Sequence, residues 1–168
     1  FECKDYVFDR NINVSEAPSF LIVMEDLVKI VDDVDFKFTA PIAVDGLPDV
    51  GLVGTIAAFN IVEQLDLQQV AHFESELFPP VMVLHKGILR DPVRIYGNES
   101  LIVFTSEIPL PLNIIYSASH LLAKWFKEKD VRLGVSLSGI PMQNREQIKI
   151  PKVFSVANNS RSMDILIK

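Results

Sequence analysis

The stretch Pro41–Leu65, PIAVDGLPDVGLVGTIAAFNIVEQL, opens on a short apolar run, crosses three glycines and ends in a helical pattern. "PIAV" is β-favouring and apolar on both faces, the mark of a buried central strand. Val53, Ile56, Ala57, Phe59, Ile61 and Leu65 predict a helix with a broad apolar face, running to about Leu65. Strand, glycine loop and helix in that order often cradle a phosphate, so the loop is tested against the known patterns. Gly46, Gly51 and Gly54 give G-x-x-x-x-G-x-x-G, but Leu52 and Val53 stand where a P-loop needs its Lys and Ser/Thr. The closely spaced first pair of the dinucleotide fingerprint is missing, and Asp45 and Asp49 would repel a pyrophosphate. Gly46, Pro48, Gly51 and Gly54 therefore read as a structural loop, a tight turn with close helix–sheet packing along Gly54, Ala57 and Ala58.

On the N-terminal side, "LVKIVDDVDFKF" alternates in two bursts and fits a strand pair or one strand with a polar break. Residues 1–40 are read as an N-terminal extension and first peripheral elements, with Met24 as a candidate start. On the C-terminal side, "QQVAHFES" is a strand that Pro79-Pro80 follows, and "VMVLH" with "ILRDPVRIYG" makes a hairpin turning at Gly87. "SLIVFTS", "VRLGVSLSGI" and "KVFSVAN" are further buried strands. Ile114, Ile115, Ala118, Leu121, Leu122, Trp125 and Phe126 fall at helical spacing, with lysines at the helix end. "SRSMDILIK" starts like a capped helix, and a C-terminal part beyond it is expected. Alternating strands and helices predict one α/β domain over residues 41–168, with a mainly parallel central sheet and an inserted hairpin.

The 168 residues carry a net charge of -6, and no basic cluster interleaved with aromatics appears, which argues against nucleic acid as a partner. The longest apolar run falls far short of the ~20 residues of a membrane span. Cys3 is the single cysteine, so an internal disulfide is excluded. The expectation is a soluble cytoplasmic protein, in which the sequons at Asn13, Asn98 and Asn158 are chance matches.

No enzyme signature emerges, and no cofactor is expected. His72, Glu74 and Glu76 would share one strand face, a weak metal or acid–base pattern that a solvated face explains better. His85 and His120 read as packing or surface residues. Ser136 and Ser138 lack a histidine partner pattern, and Asp32-Asp33 suits solvation. Two proline-bounded apolar stretches remain, "ELFPPVMVL" and "IPLPLNIIY". Phe78, Pro79, Pro80, Pro109 and Leu110 are either tucked against the core or hold an interface.

Taken in succession, "DGLPDVGLVGTIAAFNIVEQL", "FPPVMV", "LIVFTSEIPL", "SGIP" and "IPKVFSVAN" resemble the proteasome assembly chaperone family, in particular its archaeal homologues. The matching positions are Gly46, Pro48, Gly51 and Gly54, then Phe78-Pro79-Pro80, then Gly139 and Pro141. The resemblance implies a three-layer α/β/α domain similar to the phosphorylase/hydrolase-like fold, without catalysis. It also implies binding to proteasome α subunits and homo-oligomers. Some members use a C-terminal tail with a tyrosine, which "DILIK" lacks. The alternative is a small-molecule or nucleotide-binding enzyme with a phosphorylase-like pocket near Asp45–Gly51 and Ser106-Glu107.

Overall fold

The computed structural model describes residues 27–85, 87–150 and 152–166. The readings on Cys3, Asn13, Met24 and most of the N-terminal extension lie outside them. In chain order the elements are β1 (Lys29–Asp32), β2 (Ile42–Gly46), α1 (Val53–Gln64), β3 (Gln68–Glu74), β4 (Val83–His85) and β5 (Ile88–Arg90). β6 (Val93–Asn98), β7 (Leu101–Ser106), α2 (Ile115–Glu128), β8 (Leu133–Ser136) and α3 (Ser160–Leu166) follow. Six strands form one sheet in the order β1-β3-β6-β7-β2-β8, and β4 pairs with β5 alone.

The sheet is mixed, which corrects the mainly parallel expectation. β2 runs parallel to β7 and β8, whereas β1, β3, β6 and β7 pair antiparallel in turn. The cause lies in the connections. Asn98 Oδ1 accepts from the Ser100 and Leu101 amides at 3.0 Å, closing a tight turn that forces β6 and β7 antiparallel. The segments carrying α1 and α2 are long enough to cross over, from β2 to β3 and from β7 to β8, and those strands run the same way. The hairpin exists as β4–β5, but Asp91-Pro92 ends it, and "VRIYGN" enters the main sheet as β6. "LVKIVDDVDFKF" holds one strand, β1, at the sheet edge.

Among the described residues, one helix packs on each face of the sheet. Phe73, Ile95 and Phe104 pack with Ala118 and Trp125 of α2. Val103 and Tyr96, whose side chains alternate to the other face, pack with Ala58 and Val62 of α1. α1 forms where its pattern placed it and packs its small residues Gly54 and Ala58, with Val62, against the sheet, while Val53, Ile56 and Leu65 of the expected broad apolar face are exposed. The reason is how close the helix sits. A Cβ on Gly46 would collide with the Ala58 methyl and the Gly54 carbonyl, and one on Gly54 with the Leu137 carbonyl. Only small residues fit that seam. α2 stands off further and buries Trp125, whose Nε1 donates to Asp32 Oδ1 at 3.0 Å.

"KVFSVAN" is the second correction. Residues 152–157 have no strand pairing, and Val153 is 94% exposed. A β-favouring composition makes a strand only beside a partner strand, and among the described residues none pairs with it. The outer edge of β8 likewise has no partner among the described residues. Asn159, rather than a serine, caps α3: its Oδ1 accepts from the Ser162 amide at 2.8 Å.

Candidate interaction surface

The strand register gathers the singled-out residues at one end of the sheet. Lys29 lies opposite Glu74, Val93 opposite Ser106, Gly46 opposite Thr105 and Ser136 opposite Asp45. β2, β3, β7 and β8 therefore end where β1 and β6 begin. The loops after β2, β3, β7 and β8 all emerge there, along a line of four strand spacings, about 19 Å. Gly46, Pro48 and Gly51 sit in the first loop, with Gly54 opening α1. Phe78, Pro79 and Pro80 sit in the second loop, Pro109 and Leu110 in the third.

Two cavities open along this end. The smaller, about 200 Å³, joins the first and third loops through Leu47, Pro48, Pro109 and Leu110, over Leu122 of α2. The larger, about 680 Å³, is lined by Phe78, Pro79, Pro80 and Met82, with Lys29 and the carboxylates of Glu74, Glu76 and Asp91. The two proline stretches thus occupy separate cavities. Between and beyond them stand exposed apolar side chains from different loops: Val50, Leu52, Met82, Ile140 and Leu112, the last 89% exposed. Scattered exposed aliphatics are ordinary, but several along one end make it the candidate docking surface.

This end is braced from beneath. Gly51 (φ 80) and Leu52 (φ 55) adopt successive left-handed conformations in the turn Val50–Leu52 that enters α1. Glycine adopts this freely, whereas leucine there costs about 1–2 kcal/mol. Two carboxylates tie the loop to the strand beside it. Ser136 Oγ donates to Asp45 Oδ1 at 3.1 Å, and the Gly139 amide donates to Asp49 Oδ2 at 2.6 Å. Burial pushes the Asp45 carboxyl up, against the Ser136 hydroxyl and the Leu47 amide. Asp49 is held below the usual carboxylate range, first by the Ser138 hydroxyl and then by the Gly139 amide. In the third loop Ser106 Oγ donates to the Ile108 carbonyl at 2.6 Å. Glu107 pairs with Arg94, a side chain only 1% exposed.

The chemistry-bearing groups are absorbed by these braces. Ser136 and Ser138 face carboxylates, and His120 stacks edge-on to Tyr116. The adjacent carboxylates of Asp32 and Asp33 separate. Asp32 holds Trp125 and Lys129 of α2, while Asp33 accepts from Gln69 and bonds His72 Nδ1 at 2.7 Å. His72 Nε2 lies 3.4 Å from Glu74, whereas Glu76 falls beyond β3 and lines the larger cavity. Burial alone would lower the His72 imidazole, but Asp33, with Asp91 and Glu74, raises it overall. Among the described residues no group of three or more His, Cys, Asp or Glu is arranged to hold a metal ion. Nor is any helix there long and apolar enough to cross a membrane. Leu112 falls inside the singled-out stretch "IPLPLNIIY", whereas sequence reasoning missed Val50, Leu52 and Ile140, although a signal was present: each is apolar and within two residues of a loop glycine or proline.

Residues 43–168 match the PAC2 family. The chain belongs to this family. The uncharacterized protein MJ0106 of Methanocaldococcus jannaschii is 34% identical over 143 residues, covering 85% of this chain and 58% of its own. Among solved structures, this PAC2 chain is similar to Pyrococcus furiosus PbaA, described as an archaeal homologue of proteasome-assembly chaperone. That likeness has 27% identity and a TM-score of 0.64, over 68% of this chain and 47% of PbaA. A Thermoplasma acidophilum protein of unknown function is 34% identical with a TM-score of 0.54, over 58% of this chain and 41% of that one. P. furiosus PbaB, an archaeal proteasome activator, shares the fold at 22% identity and a TM-score of 0.55, over 65% and 50% of the two chains. The PAC2 chain thus spans about two-fifths to three-fifths of the length of these relatives.

Proposed function

We propose that this chain is the PAC2 module of a non-enzymatic proteasome-assembly chaperone that holds proteasome α subunits in the cytoplasm. Its working surface is the loop end of the sheet, with Phe78, Pro79, Pro80, Pro109 and Leu110 among the contacts. The observation that carries the reading is the run of exposed apolar side chains on Val50, Leu52, Leu112 and Ile140 beside two apolar-lined cavities. Kinship with PbaA supports the choice of partner. A braced surface suits this role, since little ordering entropy is lost when a partner docks on fixed loops. One helix on each face supports the three-layer arrangement that the resemblance implies.

The enzyme alternative has less support. Asp45, Ser106 and Glu107 are engaged in the scaffold rather than free in a pocket. The test is native mass spectrometry of the chain mixed with α subunits from the same organism. A stoichiometric mixed complex is expected, at least tenfold weaker for the variant combining Leu52→Asn and Leu112→Ser. No complex, together with a thermal shift on adding nucleotide or phosphate, would replace this reading with the pocket.

A further inference from the structure

α2 buries Ser117, Ala118 and Trp125 and leaves its other side open. Tyr116, His120, Ala123 and Lys127 are all exposed, at the i, i+4, i+7, i+11 spacing that sets them in one outward stripe. The Tyr116 and His120 rings meet edge-on with centroids 4.4 Å apart, which makes the first half of the stripe a firm shelf. Beside this shelf, Ile115 and Ser119 line the smaller cavity together with Pro109 and Leu110. No charged residue lines that cavity, and its one side-chain hydroxyl, Ser119 Oγ, already donates to the Ile115 carbonyl at 2.7 Å. It therefore suits an aliphatic side chain better than a polar one. Farther along the helix stand Lys124 and Lys127, the latter about 12 Å from Ser119 at ~1.5 Å per residue. Among the described residues neither lysine makes an ion pair, although the chain carries a net charge of -6.

We propose that this stripe and the smaller cavity receive one amphipathic helix of a proteasome α subunit, with an aliphatic side chain in the cavity and carboxylates opposite Lys124 and Lys127. The occupant is a helix because α2 offers no strand edge. Extended chain laid on this face would leave its own amides and carbonyls without partners. A second helix satisfies them internally and packs ridge into groove at about 8–10 Å between axes. The charges select an acidic helix, since a basic one would meet two like charges. This inference rests on the α-subunit reading and deepens it, naming the partner chemistry that the third loop and α2 would meet.

The test places a photo-cross-linker, p-benzoylphenylalanine, at Tyr116, where it replaces one exposed aromatic by another, and adds α subunits from the same organism. Mass spectrometry is expected to locate the link on an acidic helix of an α subunit. K124E/K127E should weaken the mixed complex about tenfold or more, and changing the carboxylates of the cross-linked helix to lysines should recover it. The parent complex should weaken as salt rises. Ser119→Phe closes the cavity mouth and should weaken the complex by a similar factor. All three positions are exposed, so the melting temperature should hold in these variants. A complex that forms in full with K124E/K127E and with S119F overturns this inference and leaves the α-subunit reading standing. No complex with the parent chain ends both. A link to a basic or extended segment, to residues 1–26 of the same chain or to a second copy would assign the stripe another occupant and overturn the inference.

Discussion

Asp45 shows how a single side chain is shared between scaffold and surface. Its carboxylate accepts from Ser136, but burial raises its pKa above the ordinary value. A carboxyl raised on folding stabilises the fold when protonated, and that contribution is lost as pH rises through the folded pKa. At neutral pH the buried charge is a cost. Asp45→Asn keeps the acceptor and removes the charge, so its melting temperature at pH 7 should equal or exceed that of the parent in thermal denaturation. A marked fall would mean that the charge itself is needed. His72 has the opposite chemistry. Its imidazole is raised by Asp33, Asp91 and Glu74 despite burial, so its ion pairs stabilise the fold below about pH 6.5, the unperturbed value. That stability is lost as pH rises through the higher folded pKa. Partly exposed pairs are worth at most about 1 kcal/mol, so His72→Gln should flatten this part of the pH–stability curve by no more than ~2–4 °C.

At the scale of elements, the seam between α1 and the sheet and the Arg94–Glu107 pair are the two places where packing tolerates least. Gly54→Ala drives a methyl into the Leu137 carbonyl, which is backbone and cannot turn aside. Overpacking of this kind costs about 1–3 kcal/mol, and urea denaturation should read a loss in that range. Ala57, one turn along and only partly buried, should tolerate a serine with less than half that effect. Arg94 sits fully inside the sheet face, with Nε and Nη1 lacking partners, and Glu107 supplies its compensating charge. Glu107→Ala strands a buried cation and should cost about 3–5 kcal/mol. Arg94→Met leaves Glu107, 30% exposed, to be hydrated, and should cost less. The ordering of the two variants is the test; equal losses would mean that the pair is not the issue.

For the molecule as a whole, the hydrophobic periods in the sequence carried the order of elements, the glycine loop and α2, because these depend on local spacing. Strand direction was not legible. It turns on Asn98 closing a short turn and on Pro92 ending a hairpin, features of two residues inside strand-like runs. The small residues Gly54 and Ala58 announced the close seam with the sheet, but Ile56 and Leu65, expected on the buried apolar face of α1, are exposed. The proposed interaction surface was legible only in part. Prolines flagged Phe78–Pro80 and Pro109-Leu110, but their meeting at one sheet end is a property of register. Residues 152–157 mark the same limit from the other side, a strand composition without a strand. Hydrogen exchange makes that limit measurable. Amides of β6 and β7, paired on both sides, should open only with global unfolding, whereas those of 152–157 should exchange at nearly free rates in dilute solution. Protection of 152–157 comparable to that of β6 and β7 would mean that a strand pairs with them, and would overturn the reading of the segment as unpaired.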